Sequence, residues 1–333
     1  MGKLGGLNLS KLREGRLLKK ILVTGALGQI GTELVAHMRK IYGSDNVVAS
    51  NRRKRENPIL ETGPFEIIDV TRPQDIAQAV EKHKVDTIIN LAAILSAVGE
   101  SNPSSAWNIN MNGLYNVLEV AREYECAVCT PSSIAAFGPS TPKDNTPQDT
   151  LMRPTTMYGV TKVAGELLCD YYHKKFGLDT RGVRFPGLIS NVALPGGGTT
   201  DYAVHIYYEA LEKKEYTSFI DKGTYMDMMY MPDALDAIVE LMEADPSKLI
   251  HRNAFNVTAM TFDPEGIAAS IKKHIPDFRI DYDVNPVIQE IADSWPNSLD
   301  DTEAREQWGW DPKYDLDRMT EDMLDKLRKK LNI

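Results

Sequence analysis

Short apolar runs alternate along the first half of the chain with longer segments of helical periodicity. The apolar runs read KKILVTG, NVVAS, FEIIDV, DTIINLAA and CAVCTPSS. The segments between them include QIGTELVAHMRKIYG, PQDIAQAVEKH and PSSAWNINMNGLYNVLEVAREYE, whose apolar residues recur at helical spacing. Buried strands that alternate with helices are typical of βαβ units. The pattern therefore predicts an α/β fold with a doubly wound parallel sheet.

Composition and charge narrow the class of protein. The chain has 333 residues, of which 42% are hydrophobic, and a net charge of −9. The acidic balance argues against nucleic-acid and membrane partners. The six histidines lack ligand spacing, so no metal site is predicted. Cys126 and Cys129 lie three apart in a strand-like run and would face opposite sides of it, which favours two buried thiols over a redox or metal pair.

Residues 1–19 differ from the rest of the chain because they are basic and nearly free of acids. A basic, acid-poor leader with interspersed leucines is typical of a mitochondrial transit segment. The alternative is a plain N-terminal extension. The first interpretation places the protein in the mitochondrial matrix, and the second places it in the cytoplasm.

A glycine turn joins the first predicted strand to the first predicted helix. It reads TGALGQIG and places Gly25, Gly28 and Gly31 three residues apart, with Gln29 and Ile30 between the last two. Glycines permit the tight turn and let the backbone approach a pyrophosphate at the helix N-terminus. The turn predicts a dinucleotide site.

The end of the second predicted strand bears on the choice of dinucleotide. An acid there would accept a hydrogen bond from the ribose 2′-hydroxyl of NAD, whereas arginine suits a 2′-phosphate. The chain has Asn51, which can still bond a hydroxyl, followed by Arg52 and Arg53. NAD is the predicted cofactor, with NADP as the open alternative.

Tyr158 and Lys162 lie four residues apart at the start of a predicted helix and therefore share one of its faces. A free phenol titrates near pH ~10 and is a weak base at neutral pH. A neighbouring ammonium group favours the phenolate, which can accept a proton from an alcohol. The pair is a candidate general base with its activating lysine.

These motifs, together with SSIAAFG after the fifth strand, resemble the extended short-chain dehydrogenase/reductase family, which includes sugar-nucleotide epimerases and dehydratases. The resemblance implies that Ser133 is the catalytic serine and that Ser132 also contacts substrate. It further implies a set of cofactor and substrate contacts. The additional cofactor contacts would be Asp69, Val70, Leu91, Ala92, Ala93 and Pro186, and Ser96 would face the substrate.

Phrases in the second half of the chain narrow the resemblance to one group within the family. The phrases GGGTTDYAV, MMYMPDA and ADSWPNSLDDTEAREQWGW are similar to those of the short-chain type of NAD-dependent L-threonine 3-dehydrogenases. This implies oxidation of the threonine β-hydroxyl to 2-amino-3-oxobutyrate, with Thr199, Thr200 and Trp295 at the substrate. Thr199 could instead cap a helix. A sugar-nucleotide epimerase or reductase is the alternative function.

The resemblance also implies a division into domains and an oligomeric state. A Rossmann-type domain would span 20–186, with the chain returning to it at about 229–258, and a smaller substrate lobe would comprise 187–228 and 259–333. A homodimer would form through the helix that carries Tyr158 and the helix before it. A ligase that uses coenzyme A could consume the product.

Overall fold

The computed structural model describes residues 18–192 and 198–333. Its strands are β1 Ile21–Thr24, β2 Val47–Asn51, β3 Phe65–Ile67, β4 Thr87–Asn90, β5 Ala127–Cys129, β6 Ser132–Ser133, β7 Thr180–Arg181, β8 Val183–Phe185, β9 Gly187–Ile189, β10 Glu215–Ser218, β11 Met226–Tyr230, β12 Phe255–Asn256, β13 Met260–Phe262 and β14 Arg279–Tyr282. Its α-helices are α1 Gln29–Tyr42, α2 Pro73–His83, α3 Ser96–Ser101, α4 Pro103–Trp107, α5 Gly113–Glu123, α6 Met157–Phe176, α7 Tyr202–Glu212, α8 Met231–Glu243, α9 Pro264–Lys272, α10 Pro286–Asp293, α11 Thr302–Trp308 and α12 Leu316–Leu331.

A six-stranded sheet in the order β3-β2-β1-β4-β5-β7 forms the centre of the larger part. Every pair of neighbours in it is parallel. The strand order reverses direction at β1, where the crossovers pass to opposite faces of the sheet. The α/β, Rossmann-type prediction is confirmed, and the strands and helices expected in the first half are present.

Both faces of this sheet are covered, which explains the continuous apolar runs. Leu22 and Ile88 belong to the hydrophobic core on one face, and Val23 and Ile89 belong to the core on the other. Successive strand residues alternate between faces, so a sheet buried on both sides needs apolar residues throughout.

Two cysteines follow the same alternation between the faces of the sheet. Cys129 ends β5, and Cys126 directly precedes this strand. Cys126 packs in one core and Cys129 in the other, as the spacing predicted. Both side chains are buried. Burial raises the pKa of the Cys129 thiol to about 12. A thiol held in its protonated form is a poor nucleophile, and this agrees with a packing role.

The last strand of the large sheet breaks at Gly182. β7 pairs with β5, but β8 departs to a second sheet in the order β12-β8-β6. A Cβ at Gly182 would lie 2.5 Å from the Thr130 carbonyl oxygen, so only glycine fits this close approach. The break lets β6, and with it Ser132 and Ser133, leave the plane of the large sheet at its carboxyl edge.

The remaining part has two small sheets and its own core. β9 and β13 flank β11, and β10 pairs with β14. Strand β11, which contains the methionine-rich phrase, is buried along its whole length. Helices α7, α9 and α12 contribute to this second core, which includes Tyr207, Ile271 and Leu324.

The packing of the core of the large sheet agrees with the predicted domain division at one helix and differs from it near the C-terminus. Ala234 and Ile238 of α8 belong to the core of the large sheet, as the return at 229–258 would require. Trp308 and Trp310 belong to that core as well, although 259–333 was assigned to the smaller lobe. The division stays a prediction.

Residues 1–17 of the basic leader lie outside the described residues. Over 18–192 and 198–333, no helix is both long and apolar enough to span a membrane.

Candidate active site

A cavity of ≈ 290 Å³ opens at the carboxyl ends of β1, β4 and β6, between the large sheet and α6. Ligands of open α/β sheets bind at this edge. The structure brings fourteen of the predicted residues together there, from segments far apart in the chain. They are Gly25, Gly28, Gln29, Ile30, Gly31, Leu91, Ala92, Ala93, Ser132, Ser133, Tyr158, Lys162, Pro186 and Thr200.

The glycine turn makes one wall of the cavity from bare backbone. Gly25 has φ +68°, which favours glycine, and a Cβ there would lie 2.7 Å from the Leu91 carbonyl carbon. At Gly31 a Cβ would lie 2.5 Å from the Gly25 carbonyl oxygen. Helix α1 begins here, at Gln29, so its N-terminus faces the turn. Close backbone approach and a helix N-terminus are what the pyrophosphate of a dinucleotide requires, so the residues present fit NAD.

Helix α6 presents Tyr158 and Lys162 to the cavity. Its N-cap is Thr156, whose side-chain oxygen accepts a 3.1 Å hydrogen bond from the Gly159 N–H. Lys162 Nζ donates to the Pro131 carbonyl oxygen at 2.7 Å and lies 5.3 Å from the centroid of the Tyr158 ring. The helix start thus positions the phenol, and the Pro131 carbonyl, just before β6, holds the ammonium group beside it.

Ser132 and Ser133 line the cavity from β6 but make different hydrogen bonds. Ser133 Oγ accepts from the Ala135 N–H at 3.2 Å, which leaves its own proton available to donate. Ser132 Oγ donates to the Glu166 carboxylate. The predicted substrate-side serines are therefore together at the cavity, which Tyr158 also lines.

Glu166 belongs to the cavity wall and was missed by the sequence analysis. It is one helical turn beyond Lys162 on α6, and its carboxylate receives Arg184 Nη2 at 2.8 Å and Nε at 3.1 Å. The two side chains are 5% and 4% exposed, so this ion pair is buried. The four-residue spacing from Tyr158 through Lys162 to Glu166 was the available signal.

Asn110 is a second residue that sequence reasoning missed. It lies in a π-helical turn, Asn108–Asn112, between α4 and α5. Its Nδ2 donates to Thr161 Oγ1 and to the Ile94 carbonyl oxygen, both at 3.1 Å, and its Oδ1 accepts from the Ile94 N–H at 2.8 Å. Asn110 therefore ties the loop after β4 to α6 at the edge of the cavity.

Three predicted cofactor residues lie at the sheet edge rather than in the cavity wall. Asn51 ends β2, and its Nδ2 donates to the Arg53 carbonyl oxygen at 3.1 Å. Asp69 accepts from Thr71 Oγ1 at 2.7 Å. Burial raises the pKa of Asp69, but hydrogen bonds from Thr71 and the nearby arginine charges outweigh it and lower the pKa overall. Val70 is buried against Gly113 at the start of α5.

Three predicted substrate residues also lie outside the cavity wall. Ser96 is buried at the start of α3, and Thr199 is 4% exposed. Trp295 is 8% exposed and packs in the core of the smaller part, so closure over a substrate stays a prediction. Thr200 does reach the cavity and packs on Gly187, where a Cβ would meet its Cγ2 at 2.7 Å.

The alternative role of Thr199, as a helix cap, was wrong. α7 begins at Tyr202, and its N-cap is Asp201. The Asp201 carboxylate accepts from the Gly198 N–H at 2.6 Å. This short turn places Thr199 inside the structure two residues before the cap, which local propensity could not distinguish from a cap at Thr199 itself.

The geometry agrees with comparisons to known proteins. The model of the NAD dependent epimerase/dehydratase family matches residues 21–257. The chain belongs to this family. An uncharacterized epimerase/dehydratase of Staphylococcus saprophyticus is 60% identical over 314 residues, which cover 94% of this chain and 98% of that protein. NAD, the predicted cofactor, is the cofactor of the family, and the glycine turn fits it.

Solved structures add a finer similarity. L-threonine dehydrogenase from Clostridium difficile superposes with a TM-score of 0.94 at 66% identity, covering 95% of this chain and 99% of that one. A monomeric L-threonine 3-dehydrogenase from a metagenome gives a TM-score of 0.89 at 45% identity, covering 94% and 100%. The family, the cofactor and the serine, tyrosine and lysine set make the chain an NAD-dependent oxidoreductase, as predicted.

Proposed function

We propose that the protein is an L-threonine 3-dehydrogenase that oxidises the β-hydroxyl of L-threonine to give 2-amino-3-oxobutyrate. The observation that carries this proposal is the convergence of Ser133, Tyr158 and Lys162 on one cavity beside the glycine turn. The 66% identity to the threonine dehydrogenase of Clostridium difficile supports the choice of substrate.

The residues of the cavity account for the proton transfer. Tyr158 takes the proton of the β-hydroxyl, and the ammonium group of Lys162 lies 5.3 Å from the centroid of its ring. Ser133 donates its free proton to the substrate oxygen and steadies the charge that develops there. Bound NAD would supply the acceptor for the hydride lost from Cβ. Lys162 uses one N–H on Pro131 and has two more, which can hold the ribose hydroxyls of the cofactor.

The charges in the cavity favour a small zwitterion over a sugar nucleotide. Among the described residues that line it, Lys162 is the sole cation, and Glu166 and Asp201 are anions. A sugar nucleotide brings a second diphosphate, which needs arginines or lysines to neutralise it. The backbone wall at Gly25 to Gly31 can serve the pyrophosphate of one dinucleotide.

The test is absorbance at 340 nm with purified protein, L-threonine and either NAD or NADP. We expect reduction of NAD in the wild type. A UDP- or dTDP-sugar in place of threonine is the matched alternative substrate. Turnover of the sugar nucleotide without any oxidation of threonine would exclude the proposal and support the epimerase or reductase alternative.

We further propose a homodimer formed through α5 and α6. Leu167 and Tyr171 of α6 are 60% and 52% exposed, and Tyr115 of α5 is 50% exposed. Large apolar side chains exposed on adjacent helices are typical of a subunit contact. One threonine dehydrogenase of similar fold is monomeric, so light scattering after size exclusion is the deciding measurement.

Two predictions concern the cellular setting. The product is a β-keto acid with an amino group, and a ligase that uses coenzyme A could cleave it to glycine and acetyl-CoA. Addition of such a ligase to the threonine assay would produce acetyl-CoA if this coupling holds.

The mitochondrial interpretation of residues 1–19 also stays a prediction, and N-terminal sequencing of protein from its native cells tests it.

A further inference from the structure

The two serines of β6 present opposite hydrogen-bonding characters to the cavity. A hydroxyl has one proton to donate and two lone pairs that accept. Ser133 Oγ accepts from the Ala135 N–H, so its proton is left for a ligand. Ser132 Oγ donates its proton to Glu166, so only its lone pairs are left for a ligand. Ser133 is thus a donor toward the cavity and Ser132 an acceptor.

A buried ion pair fixes the acceptor character of Ser132. Arg184 is buried and faces Glu166 with two donors, Nη2 at 2.8 Å and Nε at 3.1 Å. The guanidinium orients the carboxylate and balances its charge. Since a carboxylate offers only acceptors, the proton of Ser132 is committed to it.

Arg184 is itself held from the opposite side. Its Nη1 donates to the Gln148 carbonyl oxygen at 2.7 Å and to Asn256 Oδ1 at 3.1 Å. Asn256 in turn donates to the Thr146 and Asp300 carbonyl oxygens, both at 3.1 Å. These bonds leave the guanidinium no freedom to turn away from Glu166.

We infer that Ser132 accepts a hydrogen bond from the ammonium group of the substrate, and that Glu166 is the positioning residue that makes it an acceptor. This inference rests on the proposed function. In a 2-amino-3-hydroxy acid the ammonium and the hydroxyl are on neighbouring carbons. They match neighbouring serines, of which Ser132 accepts from the ammonium and Ser133 donates to the hydroxyl oxygen. Selection for an amino acid over the corresponding hydroxy acid then arises at Ser132.

The test separates the amine from the hydroxyl by competitive inhibition of the holoenzyme. L-2-aminobutyrate carries the amine without the β-hydroxyl, and (R)-3-hydroxybutyrate carries the hydroxyl without the amine. We expect Ser132→Ala to raise the inhibition constant of L-2-aminobutyrate by ~10-fold or more, the effect of losing a hydrogen bond to a charged group. The inhibition constant of (R)-3-hydroxybutyrate and the dissociation constant of NADH, measured by fluorescence, should stay within about twofold, well below that effect.

Two further variants test the assignment of roles. Ser133→Ala should lower kcat and leave the inhibition constant of L-2-aminobutyrate unchanged, the reverse of Ser132→Ala. Glu166→Gln gives Ser132 an amide that can donate, which frees the serine proton and should remove the preference for the amine-bearing inhibitor. A thermal melt and NADH binding show whether Glu166→Gln is folded. If it is not, the two serine variants decide the matter.

Two results would overturn the inference. One is an equal change in both inhibition constants on Ser132→Ala, which would mean general damage to the cavity. The other is a weaker affinity for NADH, which would mean that Ser132 serves the carboxamide of the cofactor. Failure of the proposed function is distinguishable, because wild-type protein would then not oxidise threonine. In that case the thermal shift of NADH-bound wild type and Ser132→Ala with the two inhibitors still measures the preference for the amine.

Discussion

The two faces of helix α6 differ in polarity and in their surroundings. One face carries Tyr158, Lys162 and Glu166 at four-residue intervals, all at the cavity. The other carries Leu167 and Tyr171, which are 60% and 52% exposed. Polar side chains lie at the inner surface of the protein, and large apolar side chains lie at its outer surface.

This arrangement differs from the usual amphipathic helix, in which the apolar stripe faces the core. Cys169 and Tyr172 of α6 do pack in a core of the large sheet, but other large apolar side chains of the helix are exposed. It teaches that the polar face of α6 is the functional one and is satisfied by specific partners, namely the Pro131 carbonyl, Ser132 and Arg184. The outer face is apolar although exposed, and a second subunit would cover it. Four predictions test this comparison.

The largest effect is expected at the cavity face, from Tyr158→Phe. Loss of the phenol oxygen removes the proposed proton acceptor, so kcat for threonine oxidation should fall by about 1,000-fold. Steady-state formation of NADH measures it. Tyr171→Phe, which makes the same change on the outer face, should keep wild-type kcat. Similar losses in the two variants would contradict the difference between the faces.

Glu166→Gln should cost stability, because it leaves Arg184 buried opposite a neutral amide. Breaking a buried ion pair lowers the free energy of unfolding by about 3–5 kcal/mol. Chemical denaturation measures the change. Glu209→Gln is the matched control, because Glu209 pairs with Lys213 at the surface and such pairs contribute below about 1 kcal/mol. A loss no larger than that of the control would show that the Glu166 pair does not hold this wall of the cavity.

Leu167→Glu should convert the proposed dimer to a monomer, because a carboxylate on the outer face would be desolvated in the contact. Light scattering after size exclusion gives the mass of each species. Lys272→Glu on α9 is a charge-changing control at an exposed position and should leave the mass unchanged. A wild-type protein that is already a monomer would remove the reason given for the apolar outer face.

The smallest effects are expected from two glycines of α6. A Cβ at Gly159 would lie 2.2 Å from the Ala135 carbonyl oxygen, so Gly159→Ala should lower the free energy of unfolding by ~1–3 kcal/mol. At Gly165 the nearest atom is Leu114 Cδ2 at 3.1 Å, the end of a flexible side chain. There the ~1 kcal/mol that alanine gains in a helix should offset the crowding. Equal changes in the two denaturation curves would show that α6 is not seated against the turn at Ala135.

Much of the fold was predictable because its signals are local. The run ILVT has three apolar residues before its threonine and became a central strand, and the glycines after it became the turn. Helix α3 was not predicted, because its first residue, Ser96, was assigned only a contact with the substrate. Thr199 had a helix cap as its alternative role, although the cap of α7 is Asp201.

The candidate site was predictable to the extent that family motifs mark it. Tyr158, Lys162 and Ser133 meet at the cavity. Glu166 carried no motif of its own in the analysis, and its partner Arg184 is on a strand that follows α6. Whether Ser132 donates or accepts could not be predicted, because a hydroxyl takes its character from a neighbour and that neighbour is 34 positions away.

The sequence by itself determined the order of strands and helices, the glycine turn and the sharing of one helical face by Tyr158 and Lys162. Each depends on residues within about one helical turn or strand. Only the tertiary structure decided the direction of the Ser132 hydrogen bond, the burial of the Glu166 and Arg184 pair, and the exposure of Leu167. Those properties depend on which surfaces meet when distant segments pack, and helical spacing is the same for a face turned inward as for a face turned outward.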